Sequence, residues 1–274
     1  MFSHLFKYKL KVLTRNKSLL FWTLLFPFLL GTFFQLALGN IGKAYEMPEI
    51  AGAEFPVSFV EDITTEEVDF TINYFFTLVA MACLYGSLIG LEVTKDSEAN
   101  LGARGARINM APVSKVKVLC AGLFAGYLIQ LVTLLLLFLF LIFMFQVRFG
   151  AQILPTILLV AIGALAGTAL GTFVGVSNRL GEEAKIGILI AVIMACCFFA
   201  GMMGPVELKN FFDTHLPVLA KINPVNTITD GLYALFAYDD LSVFYECLGR
   251  ISVFAILCIG GAAIFTRRKK YDRL

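Results

Sequence analysis

The chain has 274 residues, 59% hydrophobic and only 15% charged, with a formal net charge of +2 and a mean hydropathy of +0.83. Soluble domains carry about 25% charged residues, so the composition sets aside a water-soluble domain and points to an all-α membrane protein. The small net charge says little, because the charges are segregated along the chain and do not form one field; no nucleic-acid partner is expected.

Residues 2–15 place Phe2, Leu5, Phe6, Leu10 and Leu13 on one side of a helical wheel, with His4, Lys7, Lys11 and Arg15 opposite. This predicts an amphipathic helix lying on the inner membrane surface, within an interfacial segment of residues 1–17. Lys9 falls on the apolar side and is expected to snorkel. Apolar runs follow at 19–39, 72–91, 118–146, 152–176, 186–204 and 248–266, each long enough for a hydrocarbon core of ~30 Å. They are continuous instead of alternating, so six transmembrane helices are expected and not a barrel. The run 118–146 is long enough to tilt or project. A cleaved signal peptide is the rival reading of the first run, where Ala37, Leu38 and Gly39 resemble a cleavage site, but about 20 apolar residues are too many for its central region.

Lysine and arginine set the orientation. Residues 1–18, 92–117, 178–185 and 267–274 hold five, five, two and five of them, 17 of the chain's 22. By the positive-inside rule these pieces, and both termini, are cytoplasmic. Residues 41–69 hold Glu46, Glu49, Glu54, Glu61, Asp62, Glu66, Glu67 and Asp69 against Lys43 alone, and are expected outside.

The other external stretch, 205–247, is oddly apolar for a loop. Val225, Ile228, Leu232, Leu235 and Phe236 recur at helical spacing, Phe211, Phe212, Leu216 and Leu219 do so one segment earlier, and Pro205, Pro217 and Pro224 punctuate them. Two short re-entrant helices before the last span are expected. Cys83, Cys120, Cys196, Cys197 and Cys258 sit in or at the ends of apolar runs and read as fillers, leaving Cys247 as the candidate for oxidation.

The basic connection "LGARGARINMAPVSKVKVL" at 101–119 joins the second and third spans. Asp96 or Ser97 is the expected cap of a short helix, with Glu98 in its first turn, Leu101, Gly105 and Ile108 along one face and Arg104 and Arg107 on the adjacent strip. Two glycines weaken such a helix by about 1 kcal/mol each, which makes sense if another backbone approaches closely or if the segment orders only when something binds it; the plainer alternative is a solvated turn whose charges obey the inside rule.

Ion-coupled transport needs ionisable groups in the bilayer, and the spans offer only Thr23, Thr32, Gln35, Asn73, Gln130, Thr168 and Thr172, with Glu92 and Arg250 at the ends. No catalytic or metal-ligating constellation and no phosphate-binding loop can be quoted. The chain is therefore expected to be no enzyme and to bind no cofactor itself, drawing energy from a cytoplasmic partner.

The leading amphipathic helix, "FWTLLFPFLLGTFF" with Pro27 in the first span, "MAPVSKVKVLCAGL", "FFAGMM" and "INPVNTITDGLYALF" occur in an order that resembles the permease subunits of type-2 ATP-binding-cassette (ABC-2) exporters in their small six-span bacterial form. The resemblance covers nearly the whole chain, as one permease domain of residues 1–274. It implies that 95–110 is a cytoplasmic coupling segment seated in a groove of a separate ATPase subunit, which binds ATP and Mg, with Leu101 and Ile108 in the groove and Glu98, Arg104 and Arg107 at its rim. It also implies a second permease chain, identical or related, in the bacterial plasma membrane. Where the family often has a hydroxyl residue after the second glycine, this chain has Ala106.

Drugs, peptides and lipid-linked glycans are exported by such proteins. Asn73, Phe75, Phe76, Phe198, Phe199 and Met202, on the second and fifth spans, are the expected substrate pathway, an aromatic and methionine-rich cleft suited to an amphipathic molecule. Two other readings are a secondary transporter or channel, disfavoured by the missing intramembrane charges, and a non-transporting anchor that recruits a cytoplasmic protein.

Overall fold

The computed structural model describes residues 2–44, 57–95, 97–98, 103–110, 114–145, 147, 152–177, 180–202, 206–238 and 241–268, and among these there is no strand. The chain opens with α1 (Phe2–Arg15). Its wheel is as expected: His4, Lys7, Lys11 and Arg15 are exposed while Leu13 is buried, and the helix packs on the start of α6 (Lys115–Phe145). Asn16 breaks the chain and accepts a hydrogen bond from the Leu19 N–H at 3.2 Å, capping α2 (Lys17–Leu20). A wide π turn, Phe21–Leu25, leads into α3 (Phe26–Ala44). It sits just ahead of Pro27, whose ring leaves the carbonyl four residues back without its N–H donor, and the extra residue in the turn takes up that mismatch.

The remaining elements are α4 (Val57–Lys95), α5 (Ala103–Met110), α6, α7 (Ile153–Ser177), α8 (Glu182–Phe199), α9 (Val206–His215), α10 (Pro217–Ile222), α11 (Pro224–Tyr233), a second π turn (Ala234–Tyr238) and α12 (Leu241–Arg268). Among the described residues five helices are long and apolar enough to cross a membrane: Lys17–Ala37, Ile72–Lys95, Lys115–Phe145, Ile153–Ser177 and Leu241–Arg267. These match five of the six expected runs. The other, α8, is 18 residues long and starts with Glu182, Glu183 and Lys185 in its first turns, which places it outside that class. Residues 57–69, expected as loop, are helical and extend α4 to 39 residues, about 58 Å at 1.5 Å per residue, far more than one hydrocarbon core.

The fold is organised on the α4–α7 pair. Gly163, Gly167, Gly171 and Gly175 recur every fourth residue and so share one face of α7. A Cβ on Gly167 would overlap the Cys83 carbonyl oxygen, one on Gly171 that of Ser87, and one on Gly175 the Thr94 hydroxyl; from α4, one on Gly90 would overlap the Thr168 carbonyl. The register rises together on both helices, so they run parallel, backbone to backbone. Lipid offers apolar side chains no hydrophobic gain over one another, so association relies on this close packing. The Thr172 hydroxyl reaches across to the Gly90 carbonyl at 3.4 Å.

Around this axis lie α6, α11, α12 and α8. Every residue in the most apolar window of α4 is buried, against 22% in the windows of the first span and α12. Three short helices, not two, precede the last span. The third, α11, is buried through Val225, Ile228 and Leu232 as its periodicity requires, whereas Phe211, Leu216 and Leu219 of α9 and its neighbour are exposed. Asn223 caps α11 by accepting from the Val225 N–H at 3.0 Å, and donates to the Cys196 carbonyl at the end of α8 at 2.8 Å. Asp230 pairs with Lys209 at 3.0 Å. All six cysteines are free thiols; Cys247 is buried, and Cys120, expected as a filler, is the exposed one.

Candidate functional site

At one end of the bundle the last turns of α4 and α7, the first turn of α8 and helix α1 meet. A helix end leaves carbonyls without intrahelical donors and carries a partial negative charge. Here two parallel helices end side by side, so the two negative ends adjoin. Lys9, 1% exposed, donates to the Val93 carbonyl at 3.2 Å, and Lys185, fully buried, donates to the Gly175 carbonyl. Each cation thus sits in the final turn of one axial helix. Lys9 does not snorkel to water as expected; it is spent on the end of α4. Lys185→Met leaves the Gly175 carbonyl buried without this donor, and is expected to cost about 1–3 kcal/mol, read as a lower thermal midpoint of the purified chain. An unchanged midpoint would show that the cap contributes nothing.

Beyond α4 the chain turns sharply. Thr94 O accepts from the N–H groups of Ser97 and Glu98, both at 2.9 Å, and from the Ser97 hydroxyl at 3.0 Å. Ser97 therefore closes the C-terminus of α4, and α5 is described from Ala103; Asp96 and the residues between Glu98 and Ala103 lie outside the described residues. Gly105 explains the glycine-rich sequence, since a Cβ there would overlap the carbonyl oxygens of Glu98 and Lys95. Helix α5 is thus pressed by its glycine face onto the end of α4. Glu98 is buried, Ile108 half-buried and Arg107 exposed on the far side. Leu101 and the Arg104 side chain lie outside the described residues.

Next to this junction a groove of about 480 Å³ opens between the first span, α4 and α8. Trp22, Phe26, Tyr85 and Met194 line its walls, with ring centroids of Trp22 and Phe26 6.1 Å apart and those of Phe26 and Tyr85 5.2 Å apart. Glu92, Lys95 and Glu182 line its charged end. Lys95 bridges the two helices, contacting Glu92 on its own helix and Glu182 Oε1 on α8 at 2.6 Å.

A family profile described as "ABC-2 family transporter protein" matches residues 41–266, which include the axial pair, α5 and α8 but not α1 or the first span. The chain belongs to the ABC-2 transporter family. No curated protein and no solved structure matches it. It is accordingly the permease component of an ABC transporter, a multi-pass membrane protein.

In this ABC-2 permease the expected pathway residues differ in exposure. Phe76 is fully buried, edge-on to Tyr233 and Phe236 at 5.8 and 5.6 Å. Asn73 and Met202 are buried beside one another's segments: Gly201, with φ +80°, turns the chain so that a Cβ there would sit 3.4 Å from Asn73 Nδ2. That Nδ2 has no hydrogen-bond partner among the described residues. Phe198 and Phe199 are instead exposed, at 43% and 42%. The groove uses the expected second and fifth runs but their opposite ends, and adds the first run. Trp22, the chain's sole tryptophan, and Tyr85 were the legible signals for it.

Proposed function

We propose that this ABC-2 permease is the membrane subunit of a bacterial exporter, driven by ATP hydrolysis in a separate cytoplasmic ATPase and moving an amphipathic drug, peptide or lipid-like molecule outward. In this reading α8 is the sixth spanning helix, its 18 residues reaching about 27 Å with Glu182, Glu183 and Lys185 at the inner interface. Both termini are cytoplasmic, α9–α11 re-enter from outside, and α1 rides on the inner surface. Two permease chains assemble with two ATPase chains, and ATP and Mg are held by the ATPases.

One observation carries the reading: α5 is seated through Gly105 directly on the end of the buried α4. A push on α5 is a push on the axial helix and, through the glycine stripe, on α7, as a rigid-body switch requires. Exposed Arg107 and half-buried Ile108 are then available to the ATPase, with Leu101 and Arg104 proposed beside them, whereas Glu98, expected at the rim, is buried and belongs to the seat. The double change Leu101→Asp, Ile108→Asp is expected to release the ATPase on co-purification and to abolish its stimulation in membranes. Retention of both overturns the coupling role of α5.

A further inference from the structure

The groove between the first span, α4 and α8 has a chemistry that names its ligand. We propose that it binds a monocationic amphiphile, whose charged group replaces the Lys95 ammonium between Glu92 and Glu182 and whose apolar body lies on Trp22, Phe26 and Tyr85. This deepens the export reading by assigning a substrate class, and rests on that reading only for the transport of what binds.

The volume, about 480 Å³, falls within the roughly 300–1,000 Å³ of small-molecule sites. Its charged end holds two carboxylates and one ammonium, an excess of one negative charge. Of the other lysines near this end, Lys9 and Lys185 are turned onto the Val93 and Gly175 carbonyls, and Lys17, between the lining residues Asn16 and Ser18, is exposed; none of the three lines the groove. Lys95 already contacts both acids, so an anionic ligand meets a cation whose partners are in place and two carboxylates that repel it. A cationic ligand meets what Lys95 itself meets. Lys95 is thus an internal counter-ion on a tether, and a ligand's ammonium, guanidinium or phosphonium does the same electrostatic work once Lys95 swings aside; its side chain is 23% exposed and that of Glu182 37%, leaving room to do so. Trp22, 51% exposed, lines the groove and offers its indole to the ligand's apolar body, and the Phe26 and Tyr85 rings continue that wall.

Trp22 also makes the test direct, being the only tryptophan. The full-length chain in lipid nanodiscs is titrated with tetraphenylphosphonium and with tetraphenylborate, hydrophobic ions of the same shape and opposite charge, while Trp22 emission is followed. The phosphonium is expected to give a saturable change and the borate only the unsaturable drift of partitioning. Glu182→Gln is expected to weaken phosphonium binding by roughly three- to tenfold, and Lys95→Gln to strengthen it by a similar factor. Opposite signs are the signature: if the three charges only hold α4 to α8, both substitutions break the same bridge and act alike. Equal responses to the two ions, or weakening by both substitutions, overturns the proposal. If phosphonium binds saturably but never stimulates the ATPase of the assembled complex, the site stands and the export reading falls. If amphiphiles stimulate the ATPase while Trp22 is indifferent to the phosphonium, the export reading stands and the site falls.

Discussion

Gly171→Leu is expected to remove nearly all correctly folded protein. The Cβ alone overlaps the Ser87 carbonyl oxygen, which is backbone at the centre of a buried helix and has no rotamer to escape into. Ordinary overpacking costs about 1–3 kcal/mol; forcing two axial backbones apart also opens the contacts that flank them at Gly167 and Gly175, so ~3 kcal/mol or more is expected. Monodisperse yield from membranes and the thermal midpoint of what remains are the readouts. Gly260→Leu on α12 is the control, because a Cβ there meets nothing within 4 Å, and it should match or slightly exceed the parent through better helix propensity. Equal yields for the two variants would falsify the view that the α4–α7 contact organises the fold.

Gly105→Val is expected to do the opposite: to leave the bundle folded and disconnect it. Helix α5 has eight residues and contributes little to the core, so stability should hold. A branched side chain cannot occupy the space between Gly105 and the carbonyls of Lys95 and Glu98, so α5 must lift from the end of α4. Coupling free energies of about 1–3 kcal/mol correspond to roughly 5–150-fold effects, and loss of the seat should lower substrate-stimulated ATPase activity of the complex by about tenfold or more. Arg107→Ala, on the exposed side of the same helix, preserves the seat and serves to separate lost seating from lost rim contacts. Normal stimulation in Gly105→Val would detach the mechanism from this junction.

Which features could be read from the sequence follows from how local each is. The face of α1 and the five spans rest on period and run length, which a window of 20 residues contains. The seat for α5 was only half legible: two glycines asked for either a close backbone or a segment that orders on binding, and the structure puts the Lys95 and Glu98 carbonyls against Gly105. The glycine stripe at 163–175 is equally local, yet inside an apolar run of Ala and Leu it looks like composition until its partner helix is known. Lys9 is the instructive case: the wheel put it correctly on the apolar face, but the carbonyl that holds it belongs to Val93, 84 residues away. The groove fails for the same reason, because Trp22, Tyr85 and Glu182 come from three separate stretches. Phe198 and Phe199 lie on the same helix as the groove's Glu182 and Met194 but nearer its other end, and nothing in a run of phenylalanines says which end of a helix borders a groove.

The unequal burial of the helices bears on how the protein meets its host membrane. In α4 the whole apolar window is enclosed by the same chain, while most of the first span and of α12 faces outward. A change in acyl-chain length therefore acts on the rim and spares the mast. Thin membranes should tilt the outer helices around an axis of constant length, so that lipid composition tunes the width of the groove between the first span and α4 without altering the central strut.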